Sequence, residues 1–120
     1  MAGVEKRDFD SPDETRTPDK SKVDVVHLGG GAAARLTLEP GWSWSGCIKP
    51  VVGGDSCQLR HIGIVQSGRM RVTHDDGTVL ELARGDTYVI EPGHDAEVVS
   101  DEPFVGYEFQ PQSAEEYARS

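Results

Sequence analysis

From Val23 onward the apolar residues come in short stretches cut by glycine, VDVVHL, then GGG, then AAARLTLEPGW. Stretches this short, with turn residues between them, predict β-strands rather than helices. The clearest unit is RMRVTHDDGTVLEL, where Met70, Val72, Leu80 and Leu82 alternate with polar residues on either side of Asp76-Gly77. Alternation with period 2 places those four on one face, and Asp-Gly supplies the positive φ angles of a tight hairpin turn. TYVIEPG, AEVVS and FVGYEF each predict a further strand. No long helical periodicity and no internal repeat appears, so an all-β sandwich or barrel is expected.

Residues 1–22 differ in texture. They carry many charges, Pro12 and Pro18, and few apolar side chains, too little to offset chain entropy by burial. They are expected to be a flexible N-terminal arm or a strip along the domain, with the barrel domain spanning 23–120. At the other end, Ser113 followed by Glu116 fits a capping box and predicts a short C-terminal helical turn.

Composition narrows the function. A chain of 120 residues with 36% hydrophobic residues supports one core. Its formal charge of −9 repels phosphate backbones and anionic headgroups, so neither nucleic acid nor membrane is an expected partner. The N-terminal MAGVEKRDFD has no apolar run, which predicts a cytoplasmic protein, and in that compartment Cys47 and Cys57 are expected as free thiols. No nucleophile elbow GxSxG, P-loop, CxxC or GxGxxG is present.

The candidate chemistry lies in DSCQLRH. Asp55, Cys57 and His61 fall on one parity, and so would share a face if the stretch were a strand. On a straight strand, however, Cys57 and His61 would stand about 13 Å apart, too far for a hydrogen bond or a shared ion. Trp42 and Trp44 in GWSWSG share a parity; they line a ligand pocket in one reading and fill the core in the other. Tyr88 joins them as a pocket candidate, with its ring in the core and its hydroxyl reaching the edge. His27 and His74 are expected on the surface.

These residues resemble the cupin superfamily, small double-sheet jelly rolls. The family's first motif ends in a glutamate, six residues and a glycine. With Gly68 as that glycine, His61 stands at the glutamate position, and Cys57 and Asp55 stand at the two histidine positions. Its second motif resembles GDTYVIEPGHDAEV, with Gly93 as the inner glycine; the motif histidine then falls on Ala96, and His94 keeps the same parity. The likeness covers roughly residues 33–109, and in detail EPGWSW, SGRM, DDG and PGHDA are similar to a bacterial subgroup of single-domain cupins.

The resemblance implies a jelly-roll barrel, a homodimer, and a site for a divalent transition metal such as zinc, iron, nickel, manganese or copper. His61, His94, Cys57 and Asp55 are its candidate ligands, beside a pocket for a small polar molecule. A thiolate among the donors favours such ions over magnesium or calcium. A metal-dependent enzyme and a non-catalytic ligand-binding sensor without metal are both consistent with these residues. A filled barrel acting through its outer surface is the third reading.

Overall fold

A computed structural model describes residues 3–109. Among these residues nine strands form two antiparallel sheets. The larger runs in the order β1 (Glu14–Arg16), β2 (Ser21–Leu28), β3 (Gly31–Leu38), β9 (Phe104–Glu108), β4 (His61–Ser67), β7 (Thr87–Ile90). The smaller is β6 (Val79–Leu82), β5 (Met70–His74), β8 (His94–Val98). Neighbours in space are far apart in sequence, β9 lying between β3 and β4, as a jelly roll requires. The predicted C-terminal helical turn lies outside the described residues. Among those described, no helix is long and apolar enough to cross a membrane.

Inward-facing residues of both sheets make one core. Val23 and Val25 of β2, Leu36 and Leu38 of β3, Val65 of β4, Met70 and Val72 of β5, Val98 of β8 and Phe104 of β9 all pack in it. Trp42 and Trp44 are buried there too. The chain between β3 and β4 holds an element the strand pattern did not predict: a π-helical turn, Trp44–Ile48, running into α1 (Lys49–Val52). The Ser43 hydroxyl caps it by accepting from the Gly46 amide, 3.0 Å.

The described part of the N-terminal stretch, residues 3–22, runs along the larger sheet. β1 pairs with β2, and the Asp13 backbone amide bonds the Val25 carbonyl. Arg35 donates to Asp24, to Asp10 and to the Phe9 carbonyl, with its guanidinium over the Phe9 ring at 5.5 Å. Asp24 is 1% exposed and also accepts from the Thr15 hydroxyl. The buried Asp24 carboxylate is thus compensated by the Arg35 guanidinium and the Thr15 hydroxyl.

Two details of the β5–β6 hairpin depart from expectation. Only Gly77 has a positive φ, 96°, and Asp76 does not. The Gly77 amide bonds the His74 carbonyl and the His74 amide bonds the Thr78 carbonyl, a type I turn closed by a glycine bulge rather than a two-residue turn. Leu80 shares the inward parity of Val72 and Leu82 yet is 60% exposed. Among the described residues β6 and β7 are both sheet edges with no strand bonded between them, so that part of the sandwich stands open along this side.

Candidate metal centre

Three of the four predicted ligands meet. Cys57, His61 and His94 are all buried, and one ligand atom from each lies within 4.8 Å of the others. Asp55 does not join them; it is exposed in the bend after Gly53-Gly54. Its parity with Cys57 carries no weight, because residues 54–56 form a bend and not a strand.

The same break explains how Cys57 approaches His61. Cys57 forms an isolated bridge to His94, with its amide on the His94 carbonyl and the Gly93 amide on its own carbonyl, both 2.7 Å. Residues 58–60 then turn without strand structure before β4 starts at His61. A straight strand would hold the two side chains far apart, whereas the bend brings Cys57 Sγ to 3.9 Å from His61 Nε2. The His61 and His94 rings meet edge to face, centroids 5.1 Å apart at 73°.

Each imidazole is held by its far nitrogen. His61 Nδ1–H donates to Glu108 Oε1 at 2.8 Å, and His94 Nδ1–H donates to the Glu91 carbonyl at 2.8 Å. A carboxylate or carbonyl at this distance fixes which nitrogen carries the proton and turns Nε2 toward the cluster. Glu108 is 3% exposed, and its other oxygen accepts from the Tyr88 hydroxyl at 2.8 Å. Tyr88, Glu108, His61 and Cys57 therefore form one connected chain of polar groups inside an apolar core.

Glu108 escaped the sequence reading. Its signal is parity: Phe104, Gly106 and Glu108 share the inward face of β9, so an acid stands where its strand neighbours are buried.

The electrostatics follow from burial and contact. Burial alone would push the Cys57 thiol up, but hydrogen bonds from His61, His94 and the Leu59 amide, with the His94 charge, bring it from 9.0 down to about 6. Burial pulls His61 down, and the Glu108 charge, the Cys57 and Glu108 hydrogen bonds and the Cys57 charge overcome it, raising it from 6.5 to about 10. Both shifts favour a Cys57 thiolate beside a His61 imidazolium when no metal is bound.

The donor set fits a divalent transition ion. One soft thiolate and two imidazoles suit zinc, ferrous iron or copper and not the hard ions. Bonds of about 2.0–2.3 Å in a tetrahedral shell put ligand atoms about 3.5 Å apart, so the cluster need close by only about 1 Å.

Beside the cluster lies a cavity of about 20 Å³, walled by Leu38, Trp42, Trp44, His61, His94 and Glu108 among others. Of the predicted pocket residues, Trp42 and Trp44 line it. Tyr88 lies on the far side of Glu108 and lines instead the open cleft of about 580 Å³ between β6 and β7.

No family model and no curated protein matches the sequence. Solved structures do. A sugar phosphate isomerase from a cupin superfamily, from Silicibacter pomeroyi, superposes with a TM-score of 0.63 at 18% identity, over 88% of this chain and 74% of that one. An RmlC-like cupin from Shewanella frigidimarina gives 0.59 at 16%, over 88% of each chain. KdgF from Halomonas sp. gives 0.59 at 20%, over 85% of this chain and 90% of its own. At such identities the likeness speaks for architecture, and on that ground the chain has the cupin fold.

Proposed function

We propose that this protein is a metal-binding cupin in which Cys57, His61 and His94 hold one divalent transition ion. One observation carries the reading: both imidazoles are anchored through Nδ1, to Glu108 and to the Glu91 carbonyl, with a third ligand atom, from Cys57, within 4.8 Å of theirs. A bound ion would supply Lewis acidity, with a coordination position left over for an exogenous ligand. Glu108 would orient His61 and raise its basicity, Tyr88 would fix Glu108, and the apolar walls would keep bulk water out.

The test is elemental analysis of untagged protein, as purified and after chelation and titration with zinc. One equivalent bound supports the reading, and no uptake overturns it.

A sensor without turnover is the second reading, and the size of the interior favours it. About 20 Å³ accommodates roughly one water, so an organic substrate would have to bind from outside the barrel. A small polar molecule then has the open β6–β7 cleft as its place. A second copy of the chain is the partner expected to cover that side, since β6 and β7 are unpaired edges carrying exposed Val79, Leu80 and Val89. A concentration-independent monomer mass in solution overturns the dimer.

A further inference from the structure

The cleft between β6 and β7, about 580 Å³, has walls of two kinds. Its buried side is apolar, made by Val72, Leu82, Tyr88 and Ile90. Leu80 has the inward parity of Val72 and Leu82, yet it is 60% exposed and stands in the cleft wall. Leucines scattered on a surface need no explanation, but an inward-facing one beside an apolar hollow leaves area for an occupant to cover. Sites for small organic molecules measure about 300–1,000 Å³ and are mostly apolar, with a few polar groups that set the orientation.

Charge supplies that orientation. The ionisable side chains of the wall, besides Tyr88, are His74, Asp76 and Glu91, and no lysine or arginine lines it. His74 is held neutral: its Nδ1 accepts from the Asp76 amide at 3.0 Å, which requires a lone pair there, and Nε2–H donates to the Pro92 carbonyl at 2.9 Å. Asp76 accepts from the Thr78 amide at 2.9 Å and is paired with no lysine or arginine among the described residues. Glu91 meets Arg60, a pair between half-exposed side chains, which holds its charges weakly. On a chain of formal charge −9, such a wall repels an anion and attracts a cation at long range, without needing a direct bond.

We propose that the β6–β7 cleft binds an amphipathic amine, a small molecule with an apolar body and a protonated nitrogen at one end. Leu80, Leu82 and Ile90 cover the body, and the field of Asp76 and Glu91 holds the cation. The inference rests on the sensor reading above, to which it gives a ligand class, and it is independent of any ion on Cys57, His61 and His94. A second copy can cover the β6 and β7 edges. As the occupant of the cleft, however, it would bring its own Asp76 and Glu91 toward these across a two-fold axis.

The experiment titrates the full-length protein, with chelator present, against phenethylamine, phenethyl alcohol and hydrocinnamate, which share a body and differ in charge. Calorimetry gives the affinities, amide chemical shifts give the place, and light scattering gives the mass. Phenethylamine is expected to bind saturably, to shift amides of β6 and β7, and to bind about three- to tenfold more tightly than the alcohol. That margin is expected to shrink as salt is added, and hydrocinnamate is expected not to bind. The double variant Asp76→Asn, Glu91→Gln is expected to bind the amine no more tightly than the alcohol, and Leu80→Asn to weaken both by about tenfold.

Hydrocinnamate binding as tightly as phenethylamine overturns the proposal, as does a double variant that keeps the full preference for the amine. Saturable binding of the alcohol with no preference for the amine overturns the ligand class and leaves the sensor reading standing. No saturable binding of any of the three, or shifts confined to residues away from β6 and β7, overturns the cleft as a ligand site and the sensor reading with it. Amine binding that fades as a dimer forms with rising protein concentration means that a second copy fills the cleft, and overturns the proposal.

Discussion

Replacing Glu108 by glutamine tests the charged row at the centre of the molecule. The substitution keeps the shape but removes one negative charge and one acceptor, whereas Glu108 serves two donors, His61 Nδ1–H and the Tyr88 hydroxyl. In the metal-free protein His61 is raised from 6.5 to about 10, with the Glu108 charge the leading cause of the rise. Stability from that shift is fully present below pH 6.5 and is lost as pH climbs through about 10. At about 1.4 kcal/mol per pH unit, the part still available near neutral pH has a ceiling of about 4 kcal/mol.

Cys57 runs the other way. Lowered from 9.0 to about 6, it contributes stability present above pH 9 and lost as pH falls through about 6. The two slopes oppose one another between about 6.5 and 9, so the wild-type pair yields a plateau there, with a fall on either side. Without the Glu108 charge His61 releases its proton, and the Cys57 thiolate loses its cationic neighbour. In Glu108→Gln the plateau is expected to be lower by about 2–4 kcal/mol, within that ceiling, and the thiol midpoint is expected to move up toward 9. The assay is the ultraviolet absorbance of the thiolate against pH, in a Cys47→Ala background with metal chelated, alongside urea unfolding. A wild-type midpoint near 9, or one that Glu108→Gln leaves in place, refutes the charged row.

His61→Ala and His94→Ala are each expected to abolish stoichiometric zinc uptake, while Asp55→Ala, exposed and outside the cluster, leaves it unchanged by elemental analysis. Gly63→Ala puts a Cβ into the Tyr107 carbonyl oxygen and 2.8 Å from the Tyr88 hydroxyl; calorimetry should show a loss of about 3 kcal/mol or more, with weaker zinc binding as Tyr88 is pushed off Glu108. Arg35→Ala leaves Asp24 buried with only Thr15 and a distant Lys22 for company; urea unfolding should show a loss of about 3–5 kcal/mol.

What was legible in the sequence was what depends on neighbours in sequence. The β5–β6 hairpin and the all-β class follow from period-2 alternation and turn residues, both local signals, whereas His94 was placed by the resemblance to the family's second motif. The nine residues Trp44–Val52 turn helically, too few for any helical period to show. Leu80 has the pattern of a core residue and is exposed, because among the described residues the edge it faces has no strand beside it, a fact of topology alone. Asp24 and Arg35 sit eleven positions apart and meet only through the β2–β3 register. Cys57 and His61 were visible as ligand types, but their distance depended on whether residues 58–60 continue a strand, and nothing local decides that.

The site's position follows from the same breaks in regularity. His61 opens β4, His94 opens β8, and Cys57 stands on an isolated bridge, so all three lie where ladders begin. Side chains inside a ladder are held about 4.5–5.5 Å from their opposite neighbours by the sheet itself, wider than the about 3.5 Å a metal shell asks of its ligand atoms. At a ladder's start the backbone is anchored on one side only, here by the two short bonds between Cys57 and the Gly93-His94 turn. The other side, residues 58–60, carries no strand pairing and can absorb the closure of about 1 Å without disturbing a sheet. Glu108 and Tyr88, by contrast, are fixed by sheet pairing: Glu108, at the end of β9, pairs Ala34 on one side and Gly63 on the other, and Tyr88 of β7 pairs Gly63. The groups that would touch an ion are placed where the chain can adjust, and the groups that orient them are placed where it cannot.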